Sequence, residues 1–394
     1  MLLKLLRRTQ MFFPLLLALA QIGSASTDPL SGCLGTEIGR ILRKDLPEGP
    51  VLVIRSEDRT RRLEEIPILK IMNFNMENLK EAANQFHVDP KTGKNSNLLP
   101  VISKGLHRLN KEVELITQYD PDIAALQEIG SLNILNTLDV MHLGDKYKRI
   151  LVEGNSIRQQ HIGFLVKKDL PFDVYAYSHR NLLDASGAKL FSRDLPVLLF
   201  RPKGAPADSP PIFEIASTHY KSKRDEPGDP QSIIKRTDQA NKTPPVLESQ
   251  QKVFALRTPA LLIGDFNTEV GVAPELTALK QAGYKDSLEL KGGLSDLQEA
   301  THTYIENGKP PVYHQMDAQY LSQEAQQAGI LKDTHVIRNR ASDGTELPLP
   351  RTHKERRANG SDHFPVVGDY GVPELRQAYS KAMKAYEATH PSQP

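Results

Sequence analysis

The stretch "LLIGDFNTEV", Leu261–Val270, begins as a buried strand and ends in Asp265 and Asn267, two residues apart and directly after a glycine. Gly, Asp and Asn are common turn formers, so a plain turn accounts for the pattern if it stands alone. The alternative is a strand end that delivers a carboxylate and an amide to a reactive pocket. The choice depends on whether other strands end the same way.

They do. "IMNFNMENL" carries Asn75, "DIAALQEIG" carries Gln127 and Glu128, and "STHYKSK" carries His219, Lys221 and Lys223. "QMDAQYLS" carries Asp317, and "GSDHFPV" carries Asp362 and His363. Polar groups at the ends of apolar runs make a poor structural device, because each costs free energy when buried without a partner. They make a good site for a hard divalent cation, which takes oxygen ligands and keeps waters for substrate. Two histidines with carboxylate partners add general acid–base groups.

Around these motifs the chain has the pattern of a mixed α/β domain. Short apolar runs with β-branched residues recur from Ile68 onward, as strands do. "LHRLNKEVELITQY" places Leu106, Leu109, Val113, Ile116 and Tyr119 on one helical face. "PELTALKQAG" opens with Pro274 and closes at Gly283, as a helix does. Pro373–Tyr386 carries a stripe of Leu375, Ala378, Tyr379, Ala382, Met383 and Tyr386, predicting a helix that docks on the domain. Two stretches read as loops, Lys221–Asn241 and Ile337–Gly360.

The chain has 394 residues, 39% hydrophobic and 25% charged, which is ordinary globular composition. Residues 1–25 have the cations, short apolar run and small residues of a secretory signal, too short to span a bilayer comfortably. Removing its three cations, Lys4, Arg7 and Arg8, takes the formal net charge from +2 to −1. Any nucleic-acid affinity must then come from a local basic patch. Cys33 is the only cysteine, which excludes an intramolecular disulfide. It lies in "LSGC", which looks like a lipobox, but Asp28 and Pro29 separate the tetrad from the apolar run. Cleavage after Ala25 and lipidation at Cys33 are the two alternatives, and both export the protein to the periplasm or beyond. The expected division is a signal over 1–25, a proline-dotted lead-in over 26–66, and one domain over 67–394.

The ordered set of motifs between Ile71 and Val366 resembles the endonuclease/exonuclease/phosphatase superfamily, whose fold is like that of deoxyribonuclease I. The resemblance implies an α+β, four-layer sandwich: two packed, mostly antiparallel sheets flanked by helices, with the site at one end. It implies Glu128 as principal ligand of Mg²⁺ (Mn²⁺ and Ca²⁺ being the alternatives), joined by Asn75 and Asp362. Asp265 would orient or deprotonate the attacking water, and Asn267 would donate to a phosphoryl oxygen. His363, held by Asp317, and His219 would face the phosphate from opposite sides.

Arg193 in "FSRD" resembles an arginine frequent in secreted relatives and is expected to touch substrate. His161 stands where many of those relatives have Asp, and is either a phosphate contact or a strand residue. Lys221, Lys223, Arg224, Lys235 and Arg236 would form a basic rim, although Asp225, Glu226, Asp229 and Asp238 interleave. "NFNMENL" with "HYKSK" is most similar to the extracellular nuclease branch, predicting a monomeric nuclease acting on DNA or RNA. A phosphatase or phospholipase of a small or lipid phosphoester is the alternative, and a non-catalytic binding module is a third.

Overall fold

The computed structural model describes residues 49–252 and 257–390. The signal and lipobox motifs lie outside the described residues.

In chain order the strands are β1 (Leu52–Ile54), β2 (Ile68–Leu79), β3 (Glu81–Val88), β4 (Asn95–Ile102), β5 (Ile123–Ile129) and β6 (Tyr147–Val152). They continue with β7 (His161–Lys167), β8 (Phe172–Tyr177), β9 (Val197–Pro202), β10 (Phe213–His219), β11 (Ala260–Asp265) and β12 (Lys285–Asp286). The last are β13 (His302–Tyr304), β14 (Val312–His314), β15 (Asp317–Leu321), β16 (Leu331–Val336) and β17 (Val366–Gly371). They form one sheet in the order β1-β8-β9-β10-β11-β15-β12, another in the order β16-β17-β2-β5-β7-β6, and two hairpins, β3-β4 and β13-β14.

The two large sheets pack face to face. Ile71, Ile123 and Phe164 from one meet Leu198, Phe200, Ile215 and Ile263 from the other in a shared core. A second cluster packs the outer face of the β10–β11 sheet against Ala240, Val246 and Leu247 of the helix Ile233–Gln251. A third packs the outer face of the β2–β5 sheet against the helices Leu106–Tyr119 and Leu132–Thr137. The result is the expected sandwich of helices, sheet, sheet and helices. Because both faces of the central strands are covered, β11 is buried at every residue, and a strand buried on both faces reads as a continuous apolar run rather than an alternating one.

One departure from antiparallel pairing fixes where chemistry can occur. In each large sheet a single neighbouring pair runs parallel: β2 with β5, and β10 with β11. Parallel strands end together, so Asn75 lies opposite Gln127 and His219 opposite Asp265. β15 runs antiparallel to β11 and begins where β11 ends, placing Asp317 opposite Asp265. β17 runs antiparallel to β2, so His363, just before it, reaches the same end.

The loop expectations fail in part. Residues 233–241 are the first turns of the helix Ile233–Gln251, and His353–Ala358 is a short helix. The longer helix buries Arg236, Gln239, Ala240, Thr243, Val246, Leu247 and Gln250, a helical stripe in which polar residues stand where apolar ones are sought, and it contains Pro244 and Pro245. Hydrophobic periodicity cannot find such a helix. Leu106 lies on the exposed side of its helix, while Glu112 takes a fully buried place.

Candidate active site

The end of the sandwich is built on two bends. In β2 the ladder with β5 shifts register between Asn75 and Leu79, and Glu77 and Asn78 have positive φ. In β5 the residue opposite that bulge is Glu128, itself at φ 65°. Such bulges re-aim side chains next to functional sites. Here the Asn78 amide donates to Glu128 Oε2 at 2.9 Å, and Glu128 Oε1 lies 3.9 Å from His219 Nε2. The second bend is at the end of β11. Asn267 has φ 52°, and its amide closes a turn onto Asp265 Oδ1 at 2.8 Å. Gly264 before it admits no side chain, since a Cβ there would stand 2.0 Å from the Thr218 carbonyl oxygen.

Asp265 is the hub. Its Oδ2 accepts from Asn75 Nδ2 at 2.9 Å and Asn267 Nδ2 at 3.2 Å, and lies 3.4 Å from His219 Nε2 and 3.9 Å from His363 Nε2. His363 Nδ1 is bound to Asp317 Oδ2 at 2.7 Å, and its Nε2 is 3.9 Å from Asp362. Ser361 fastens this loop to β2: its hydroxyl donates to the Asn75 carbonyl at 2.7 Å and accepts from the His363 amide. Beneath lies a polar layer between the sheets. Gln127 donates to Asn73 Oδ1 at 2.9 Å, and Asn73 donates to the Gly264 carbonyl at 3.0 Å.

Electrostatics sorts these groups. Burial pushes the Asp265 carboxyl up to about 7; His363 opposes that and Asp317 adds to it. Burial would depress His363, but Asp317 and Asp265 outweigh it and hold the imidazole well above its ordinary value, as a cation. His219 is driven well below its ordinary value by burial, then by Arg193 and His363, and stays neutral. Asp362, partly buried, is held below the usual carboxylate range because His363, His302 and Arg356 outweigh its desolvation.

Asn75, Glu128, His219, Asp265, Asn267, Asp317, Asp362 and His363 thus converge, although they come from six separated strand ends. Two of these side chains are also engaged within the protein. The Asn75 amide oxygen accepts from the Glu77 amide, and the Asn267 side chain donates to Asp265 and the Tyr220 carbonyl. Both side chains therefore orient the centre before any ligand is present. Arg193 is buried beside it, donating to the Tyr220 carbonyl and to Gln160 Oε1, each at 3.2 Å. His161 is not brought into the cluster by any such contact: its Nδ1 accepts from the Gly154 amide at 3.1 Å. The preceding residue, Gln160, reaches the site instead, linking Arg193 to Asn78.

The basic rim is smaller than the sequence suggests. Arg236 is buried and paired with Glu275, Lys235 is bound to Asp184, and Lys221 is bound to Glu226. Lys223 and Arg224 remain exposed. A groove beside the site is lined by Lys221 and Lys235 but also by Asp184, Glu226, Asp229 and Asp238. His302 escaped the sequence reading. It lies on β13, and its ring centroid is 4.8 Å from that of His363.

A two-sheet α/β sandwich with an acid–histidine centre at one end is thereby defined. No family model matches the sequence, and no curated protein matches it. Solved structures do match. TDP2 of D. rerio, crystallised with a single-strand DNA product, superposes with a TM-score of 0.50 at 14% identity, covering 77% of this chain and 99% of that one. An endonuclease/exonuclease/phosphatase family protein of Bacteroides thetaiotaomicron gives 0.49 at 16% identity, covering 77% and 98%. The human Nocturnin catalytic domain gives 0.49 at 17%, covering 77% and 94%. The chain has the fold of the endonuclease/exonuclease/phosphatase superfamily.

Proposed function

We propose that this chain is an exported, divalent-metal-dependent phosphodiesterase, a nuclease of low sequence specificity. The observation that carries the reading is the surplus of carboxylates, buried Asp265 and Asp317 with part-exposed Glu128 and Asp362, around one cationic and one neutral histidine, both buried. Asp265, Asp317 and His363 offer ligand atoms all within 4.8 Å of one another, and Asp317 Oδ1 is buried without a hydrogen-bond partner. Together with Glu128 and Asp362 these carboxylates give this end of the sandwich the oxygen donors that a hard cation takes. Glu128, Asp362 and Asn75 would hold Mg²⁺ or a similar ion, which supplies polarisation of a phosphoryl oxygen.

The protein's own groups do the rest. Asp265, with a carboxyl tuned near neutrality, suits removal of a proton from the attacking water. His363, a cation held in orientation by Asp317, donates Nε2–H to a nonbridging oxygen where charge accumulates. Neutral His219 and cationic Arg193 face the opposite side, His219 offering a hydrogen bond to the departing oxygen. Asn75 and Asn267 keep the Asp265 carboxylate aimed.

Nucleic acid as substrate is supported by the exposed Lys223 and Arg224, and a protein of this fold accommodates a single-strand DNA product. The four acids of the neighbouring groove favour a second reading, a small phosphoester bound at the centre alone. Assay of plasmid nicking beside phosphate release from small monoesters separates the two: nicking without phosphate release supports the nuclease, and the reverse overturns it. Export rests on residues 1–25, and the N-terminus of protein recovered from the cell exterior tests it.

A further inference from the structure

We propose that the site has a second, nitrogen-rich cation position formed by His302, Asp362 and His363, selective for a late first-row metal such as Zn²⁺ over Mg²⁺. The three side chains each offer a ligand atom, all within 4.8 Å of one another. Tetrahedral ligands about 2.1 Å from one ion stand roughly 3.4 Å apart, so movements of somewhat under an ångström by each side chain close the set.

Two observations give the position its character. His363 Nδ1 is fastened to Asp317 at 2.7 Å, which leaves Nε2 for the cleft; a carboxylate behind a ligating imidazole is the usual support of a metal-bound histidine. His302 Nδ1 is sealed from solvent without a hydrogen-bond partner, so the fold leaves the orientation of this ring unsatisfied by protein groups. Two imidazoles and one carboxylate suit Zn²⁺, Ni²⁺ or Co²⁺, whereas Mg²⁺ prefers oxygen alone. Asp362 lies between this position and the oxygen-rich one, so occupancy of one bears on the other. An ion bound to His363 Nε2 also removes that nitrogen from phosphate contact, which makes the position inhibitory.

The inference is tested without substrate. Untagged protein stripped with chelator is dialysed against Zn²⁺ in a large excess of Mg²⁺, and bound metal is measured by emission spectroscopy. One Zn²⁺ per chain is expected. His302→Phe and His302→Gln should each weaken it at least about tenfold, and Asp317→Asn by roughly 10- to 100-fold through loss of support to His363. Glu128→Gln should still retain one Zn²⁺ per chain, because Glu128 is not among its ligands. Co²⁺ in the wild-type protein should show the visible bands of a nitrogen-ligated ion. Absence of Zn²⁺ retention over Mg²⁺, absence of the Co²⁺ bands, or wild-type affinity in both folded His302 variants overturns the proposal. The phosphodiesterase reading survives any of these results, because it depends on Glu128.

Discussion

Replacing Glu128 by Gln keeps shape and hydrogen bonding but removes the anionic oxygen that a hard cation needs. Turnover should fall to background while the melting temperature holds, and excess chelator should do the same to the wild type; full activity in either case ends the metal reading. His219→Ala and His363→Ala should each slow the reaction by roughly 10²–10⁴, the usual worth of a positioned acid or base, as steady-state rates on a chromogenic diester would reveal. Residues of this kind were legible because their types are improbable at apolar strand ends. His302 was not, because it follows a polar segment, and a lone histidine there carries no signal. The sequence leaves His161 between two readings, a phosphate contact or a strand residue; it opens β7, its side chain accepts from Gly154, and Gln160 reaches Arg193.

At the level of elements, the close approach of Gly264 to the Thr218 backbone fixes the end of β11 and so aims Asp265. A methyl group there meets the Thr218 backbone, and φ of 154° is foreign to other residues, so Gly264→Ala should cost at least about 1–3 kcal/mol in urea unfolding. Activity should drop further than stability, because the displaced strand is the one that bears the hub. Strands such as β11 were visible in sequence as apolar runs. The helix Ile233–Gln251 was not, since Arg236, Gln239 and Thr243 are buried by hydrogen bonding rather than by hydrophobicity, as with Arg236 on Glu275 and Thr243 on Tyr220. Arg236→Ala should therefore act on stability, by about 3–5 kcal/mol for an orphaned buried carboxylate. The Lys223→Ala/Arg224→Ala double variant should act on binding instead. Each phosphate left without its cation flattens the slope of log affinity against log salt by about 0.7 on single strands, and an unchanged slope in fluorescence titrations removes that rim from the substrate path.

Across the whole molecule, stability is tied to pH by a carboxyl remote from the chemistry. Glu214 on β10 is buried with Oε2 unpartnered, and burial raises its carboxyl from 4.5 to about 8. Between those values the unfolded chain has released this proton and the folded chain has not, so stability falls as pH rises through the window. Glu214→Gln should remove that contribution and leave the variant more stable than wild type near pH 8 but not near pH 4. Urea-unfolding free energies at the two ends check it, and parallel pH curves for the two proteins would refute it.

The paired parallel strands, β2 with β5 and β10 with β11, have a temporal consequence. Each pair needs a long crossover before its ends can meet, and Asn75 and Asp265 are separated by 190 positions along the chain. No early-forming local segment contains the catalytic groups, and contacts of such sequence separation form slowly. During refolding, secondary structure and core burial should return first and turnover last, with a measurable lag between fluorescence recovery and the first hydrolysed diester. A newly made chain would thus remain inert as an unfolded polymer and acquire its reactivity only on completing the sandwich.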